Sequence, residues 1–353
     1  MHLAEWHQFL RSTAEHPETM IVQDQKIMQF SDPITEGSAL RHATVVCDLS
    51  HLGLLQLQGA DSVTFLQGQV TNDVRLLDGT NAHYTGYCNP KGRLLALFLG
   101  FSHQGHLHLQ FPRALVEPIM KRLKMFVMRS KVDIQDVSDS IIKMGLNGPQ
   151  APALLQKLFS ELPQNDYDLV NLENGTLIKL PGLAPRYEIL TSPDQAQAIW
   201  SMLKQGATPV GASAWDWLEI QAGIPEVNVQ TQEAFVPQML NLDALQAINY
   251  KKGCYTGQEI VARTHYLGKV KRRTQLAHIS GETMPQLNDD VVDVNDQAVG
   301  KIVRVAPALG ANADHQGFDC LVECRLENVG QDTVHWNHIP LTFKTLPYAL
   351  EEG

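Results

Sequence analysis

The stretch Lys252-Gly253-Cys254-Tyr255-Thr256-Gly257-Gln258-Glu259 sets a thiol between two glycines, with a lysine two residues before it and a Gln-Glu pair just after. Glycine leaves the backbone free to adopt a positive φ or to approach a ligand closely. A neighbouring ammonium favours the thiolate, the nucleophilic form of a cysteine. Around this loop gather Lys251, Lys252, Arg263, Lys269, Lys271, Arg272 and Arg273, with Glu259 the only acid among them. In a chain of formal charge −10, that local reversal of sign reads as a binding surface for something anionic. Composition alone leaves a plainer reading open, a turn with an incidental cysteine and solvated lysines.

The 353 residues suggest two domains, or three small ones. At 44% hydrophobic and 19% charged, the chain can bury a full core and has no disordered composition. Its 38 acids against 28 bases argue against a general nucleic-acid coat protein and leave room for a local basic face. No apolar run approaches the ~18 residues of a spanning helix, and the mixed start Met1-His2-Leu3-Ala4-Glu5-Trp6 is not a signal peptide. Five cysteines, an odd number without a Cys-x-x-Cys, fit reduced thiols and give no disulfide framework or zinc site. The expectation is a soluble, cytoplasmic protein with no metal centre.

Outward from the loop, the elements follow from pattern. Leu3, Trp6, Phe9 and Leu10 recur at helical spacing, and residues 1–42 read as an extension packed on the first domain. From Ala43, Val45-Val46-Cys47 and Leu54-Leu55-Gln56-Leu57 look like strands of that domain. Asp61 or Ser62 caps a helix buried through Val63, Phe65, Leu66 and Val70, and Gln69-Val70-Thr71-Asn72-Asp73 terminates it. Two further strands flank the turn Asn89-Pro90-Lys91-Gly92. His106 and His108 share a strand face, read as wet because nothing nearby completes a metal set. From Ile141 the strand–helix pattern begins again, without a site signature. In the helix Ala214 to Ala222, Trp215 and Trp217 cannot both point inward, so one faces solvent or a pocket. After Gly268 come five short strands, with Cys320 and Cys324 on one core face, which suggest a small β-barrel or sandwich.

Phe65-Leu66-Gln67-Gly68-Gln69-Val70-Thr71-Asn72-Asp73, Trp215 to Pro225, Phe235-Val236-Pro237-Gln238 with Asn241-Leu242, and Lys251 to Arg263 resemble the YgfZ family of folate-binding proteins. The resemblance runs from about Ala43 to Leu346-Pro347-Tyr348. It implies an α+β chain with the aminomethyltransferase folate-binding fold, in which two α+β domains and a C-terminal β-barrel surround a central channel. Residues 43–140 with 210–267 would form the folate-binding domain, 141–209 the second α+β domain and 268–353 the barrel. The family binds tetrahydrofolate and supports iron–sulfur enzymes, including ones that modify tRNA, and a mitochondrial relative serves iron–sulfur cluster maturation. Its functional lysine and cysteine carry over to Lys252 and Cys254, and a folate-contacting tryptophan to Trp215. Where the family has a second folate tryptophan, this chain has Leu52.

A reduced folate offers a flat pterin, an aminopyrimidine edge and an anionic glutamate tail. By residue type, Trp215 and Tyr255 suit the plane, Glu259 or Gln258 the edge, and Arg263 with the lysines the tail. Each of the last four residues also has a purely structural reading. The rival enzyme is an aminomethyltransferase of glycine cleavage, whose catalytic aspartate lies in Asn-x-x-Gly-Gly-x-x-Asp-Asp. The matching segment here, Asn89 to Leu97, has Ala96 and Leu97 at the acidic positions, and neither performs acid–base work. No established activity is therefore expected. Cys254 could attack or carry an adduct, reduce something, or lend a single ligand to a transient iron–sulfur cluster; it could also simply pack under its loop. Three classes compete: a folate-binding accessory protein for iron–sulfur enzyme assembly or repair and so for tRNA modification, a folate-dependent one-carbon transferase, and a tRNA-binding module acting through the basic 251–273 segment. The first is the reading adopted, with Cys254 as the working thiol.

Overall fold

Three β-layers organise the chain in the computed structural model, which describes residues 3–310, 316–330 and 333–350. The first is a five-stranded antiparallel sheet in the order Ala82–Cys88, Leu94–His103, His106–Pro112, Leu52–Gln58, Asp133–Asp136. The second has six strands in the order Leu169–Leu172, Gly175–Leu180, Arg186–Thr191, Ile142–Asn147, Val45–Asp48, Thr208–Val210. Its last pair is parallel and the rest antiparallel. The third layer is a closed barrel of Arg272–Ser280, Gly317–Arg325, Ala298–Pro307, Asp290–Val292, His335–Trp336 and Ile339–Lys344. The barrel reading thus prevails over the sandwich, and Cys320 and Cys324 are both fully buried inside it. Closure removes the exposed edges that short strands otherwise present.

The strand Val45–Asp48 belongs to the second sheet, not the first. All four of its residues are buried, as expected of a central strand covered on both faces. The N-terminal extension follows it. Trp6, Leu10, Ile27 and Phe30 share one apolar cluster with Val46, Met144, Leu146 and Trp200, and Trp6 Nε1 donates to Asp48 Oδ1 at 2.8 Å. The extension therefore packs on the second sheet, against the expectation that it covers the first.

The helix Ala212–Gln221 lies between the second sheet and the barrel, so both of its tryptophans are buried. Residues two apart on a helix point about 200° apart, so Trp215 and Trp217 meet opposite layers. Trp215 presses on Gly145, where an added Cβ would stand 2.4 Å from the indole. Trp217 donates its indole N–H to Asp319 Oδ2 at 2.9 Å, on the face of the barrel strand Gly317–Arg325 opposite the buried Cys320.

Two smaller expectations also change. His108 is fully buried rather than wet, stacked on Phe101 with ring centroids 5.5 Å apart, and burial holds its imidazole neutral with a pKa of about 3. The helix Ser62–Gln67 is short, leaves Val63 exposed, and receives no cap from Asp61, whose side chain instead accepts from the Lys131 N–H. Among the described residues no helix is long and apolar enough to cross a membrane.

Candidate functional site

Where the three layers meet, two cavities adjoin. The larger, about 830 Å³, is walled by segments 72–84, 166–168, 181–183, 221–224, 244–249 and 347–348, drawn from all three parts of the fold. Among the described residues that line it, the charged ones are Asp166 and Asp168. His83 also lines it, but desolvation lowers its pKa to about 4, so the ring is neutral at pH 7. The smaller cavity, about 60 Å³, shares Tyr84 and Ile224 with the larger and reaches inward to Trp215, Gln110, Glu188, Glu219 and Arg304.

Glu188 gives the inner cavity its chemistry. It lies on Arg186–Thr191, a strand buried at every position. Its carboxyl is fully desolvated, which pushes its pKa up from 4.5 to about 7. Gln110 Nε2 donates to Glu188 Oε2 at 3.0 Å, leaving Glu188 Oε1 and Gln110 Oε1 as buried acceptors without a partner among the described residues. Buried polar atoms are normally hydrogen-bonded, so when Glu188 is ionised two adjacent orphans of the same sense mark a place for a ligand's donors. Apolar side chains of Leu97, Leu99, Phe111 and Leu180 complete the wall.

Around that pair the charges are matched. Arg186 forms an ion pair with Glu219 at 2.9 Å and its guanidinium stands 5.4 Å from the Trp215 ring centroid. Arg304 meets Asp216 at 2.7 Å and Glu219 at 3.6 Å, and Lys26 of the N-terminal extension reaches Asp216 at 2.7 Å. These two cations hold the buried Asp216 carboxyl far below the usual range despite its desolvation. Cutting any member of such a network leaves an uncompensated buried charge, at a cost of about 3–5 kcal/mol.

The Lys252–Glu259 loop is anchored near the rim of the larger cavity rather than inside it. Thr71 Oγ1 donates to the Ala247 carbonyl (2.7 Å), and Asn72 Nδ2 to the Gln246 carbonyl (2.8 Å). Lys252 Nζ donates to the carbonyls of Val70 (2.6 Å) and Asn72 (2.8 Å). The segment 69–73, read locally as the end of a helix, is thus the clamp that holds the loop. Lys252 is buried, its pKa lowered to about 8 by desolvation, and its ammonium lies 5.2 Å from the Tyr255 ring centroid. Tyr255 is buried beneath it. Gly257, at φ 84°, turns the chain against the Asn89 carbonyl and Gly92, which seats the helix Gln258–Tyr266 on the 89–92 turn. Cys254 is exposed, unlike the other four cysteines.

Of the five residues expected to touch folate, Trp215 alone lines either cavity; Tyr255, Gln258, Glu259 and Arg263 line neither. Leu52 and Leu97, the positions of the missing tryptophan and of one missing acid, both line the inner cavity. Sequence reasoning missed Glu188 and Gln110. The available signal was Arg186 and Glu188 at alternate positions of an otherwise apolar strand, where one side of the strand would have to bury two charges.

The arrangement of two α+β layers and a barrel around a common cleft is the fold of aminomethyltransferases. The structure of glycine cleavage aminomethyltransferase T from Bartonella henselae superposes over 96% of both chains with a TM-score of 0.74 at 14% identity. The GCVT N-terminal domain model matches residues 15–252. The tRNA-modifying protein YgfZ of Colwellia psychrerythraea is 34% identical over 319 residues, 87% of this chain and 94% of that protein. Its counterpart in Yersinia enterocolitica is 34% identical over 74% of this chain and 78% of that protein. The chain belongs to the YgfZ family of the GCVT-type fold.

Proposed function

We propose that the chain binds a reduced folate in the cleft and serves as an accessory protein for the assembly or repair of iron–sulfur enzymes, and through them for tRNA modification, in the cytoplasm. The observation that carries the folate reading is the orphan acceptor pair, Glu188 Oε1 and Gln110 Oε1, in a cavity walled by Trp215. A pterin presents an amino group and a ring N–H side by side, two donors for two acceptors. The inner cavity at about 60 Å³ is smaller than a pterin, so entry requires Tyr84 and Ile224, the residues common to both cavities, to move aside. The rest of the folate would lie in the outer cavity, where the described lining residues include no Lys or Arg and the glutamate tail would run toward solvent. A bound one-carbon-substituted tetrahydrofolate would supply a one-carbon unit, and Glu188, Gln110 and Trp215 would hold its ring.

The tRNA role rests on the names of the YgfZ relatives, and the iron–sulfur link rests on the family resemblance alone. Cys254, exposed on the clamped loop, is the proposed working thiol, with Lys252 fixing the loop that presents it. The alternative, aminomethyl-type transfer, finds Ala96 and Leu97 buried in the strand where the acids would stand, with no proton carrier at either position.

Two measurements test the proposal. Tetrahydrofolate should raise the melting temperature of the wild type, and Glu188→Gln should reduce that shift; an unaltered shift in the variant rejects the pterin site. A strain lacking its own family member should regain tRNA thiolation with the wild type and not with Cys254→Ala. Full rescue by Cys254→Ala rejects the thiol's role.

A further inference from the structure

We infer that the end of the helix Gln258–Tyr266 and the adjoining barrel edge form a docking surface for RNA with unpaired bases. The choice of RNA over another polyanion rests on the tRNA-linked role proposed above; the surface itself rests on geometry.

Of the seven cations between 251 and 273, three are used internally. Lys252 is bound to backbone carbonyls, Arg272 to Glu323 by two donors, and Arg273 to Asp243. The other four, Lys251, Arg263, Lys269 and Lys271, are exposed. Folding adds a fifth from a distant part of the chain. Arg325, on the barrel strand paired with Arg272–Ser280, is exposed and lines with Lys269 and Lys271 a groove of about 650 Å³. Its nearest carboxylate, Glu327, stands 3.9 Å away and is itself exposed, a pairing that solvent weakens.

Beside this groove lies a ladder of rings. Tyr250 and His265 stack face to face, with centroids 3.7 Å apart and planes 11° apart. The Tyr250 hydroxyl accepts from Gln238 Nε2, which fixes the base of the stack. Tyr266 meets both rings edge-on, at 4.7 and 6.2 Å, and is 64% exposed, and Leu267 beyond it is 84% exposed. Arg263, three residues before Tyr266, neighbours it on the helix surface. A large aromatic left in water beside exposed cations is costly for a monomer's solubility and suits a partner that is both flat and anionic. Unpaired nucleobases stack on aromatic side chains while lysine and arginine neutralise the phosphates. A continuous duplex keeps its base faces hidden and would use only the cations.

The test is fluorescence anisotropy with a labelled RNA hairpin carrying an unpaired loop, against a fully paired RNA of equal length, across a salt series. The hairpin should bind more tightly than the duplex, with log K falling against log salt by a slope of about −3.5 for five phosphates at about 0.7 each. Lys269→Ala with Lys271→Ala should reduce the slope by about 1.4. Tyr266→Ala should weaken hairpin binding about five- to hundredfold, Tyr266→Trp should restore it, and neither should alter the slope. Equal affinity for hairpin and duplex, or wild-type affinity in Tyr266→Ala, overturns the inference. A wild type that responds to tetrahydrofolate but ignores the hairpin at low salt overturns this surface and leaves the folate reading standing. Hairpin binding without any tetrahydrofolate response supports the surface and rejects the folate site.

Discussion

Replacing Glu188 by glutamine should make the ligand-free protein more stable at neutral and alkaline pH while weakening its response to tetrahydrofolate. The carboxyl's pKa in the fold, about 7, lies above its ordinary 4.5 because burial penalises the charged form. A group whose folded value is raised favours the folded chain below its unfolded pKa, and that contribution is lost as pH rises through about 7. At about 1.4 kcal/mol per pH unit, the rise from 4.5 to about 7 amounts to about 3 kcal/mol by pH 8. Part of this is returned, because the fully buried Lys143, its pKa already lowered to about 8, is supported by the Glu188 charge. Glutamine keeps the shape, and its amide can donate to Gln110 Oε1, removing one orphan acceptor. The net expectation is a gain of about 1–3 kcal/mol at pH 8 that shrinks to under about 1 kcal/mol at pH 5, just above the ordinary 4.5, read from urea unfolding at the two values. In the same preparation the tetrahydrofolate-induced rise in melting temperature should shrink, because the carboxylate that accepts the pterin's donors is gone. Parallel stability–pH curves for wild type and variant would refute the reasoning about burial.

Trp215→Ala should cost about 3–5 kcal/mol, since it empties the space over Gly145 and under Arg186; loss of the tetrahydrofolate shift beyond the change in melting temperature checks its place in the site. Lys252→Met should orphan the carbonyls of Val70 and Asn72, at about 1–3 kcal/mol each. Faster amide exchange at 249–257 in that variant is the readout, and unchanged exchange would show that the clamp does not hold the loop. Iodoacetamide should label one thiol per native chain, Cys254, and all five after unfolding, because the other four are buried. Mass spectrometry reads the stoichiometry, and Cys254→Ala should melt as the wild type does.

Much of the architecture was legible in the residues. Alternating apolar runs marked the strands, the Trp215 helix lay where its periodicity placed it, and the Lys252–Glu259 loop stood out by its glycines, its thiol and its local charge. The errors came where two layers share one segment. Val45–Asp48 reads as a strand in isolation, but only pairing with Ile142–Asn147 decides its sheet, and the N-terminal extension goes with it. Trp215 and Trp217 looked incompatible because a surface helix has one buried side, whereas this helix has two.

The site divides in the same way. Residue type and local spacing depend on neighbours in the chain, so they singled out Cys254 and Lys252, while the family resemblance added Trp215 and exposed the loss of acid at Ala96 and Leu97. It also suggested Tyr255, Gln258, Glu259 and Arg263 as ligand contacts, by the same local reasoning, and these fall outside both cavities. Glu188 with Gln110, and Arg325 with Lys269 and Lys271, are separated by tens of residues and meet only through strand pairing and barrel closure. Burial, orphaned acceptors and a raised carboxyl pKa are properties of the surroundings, and those exist only once the layers have packed.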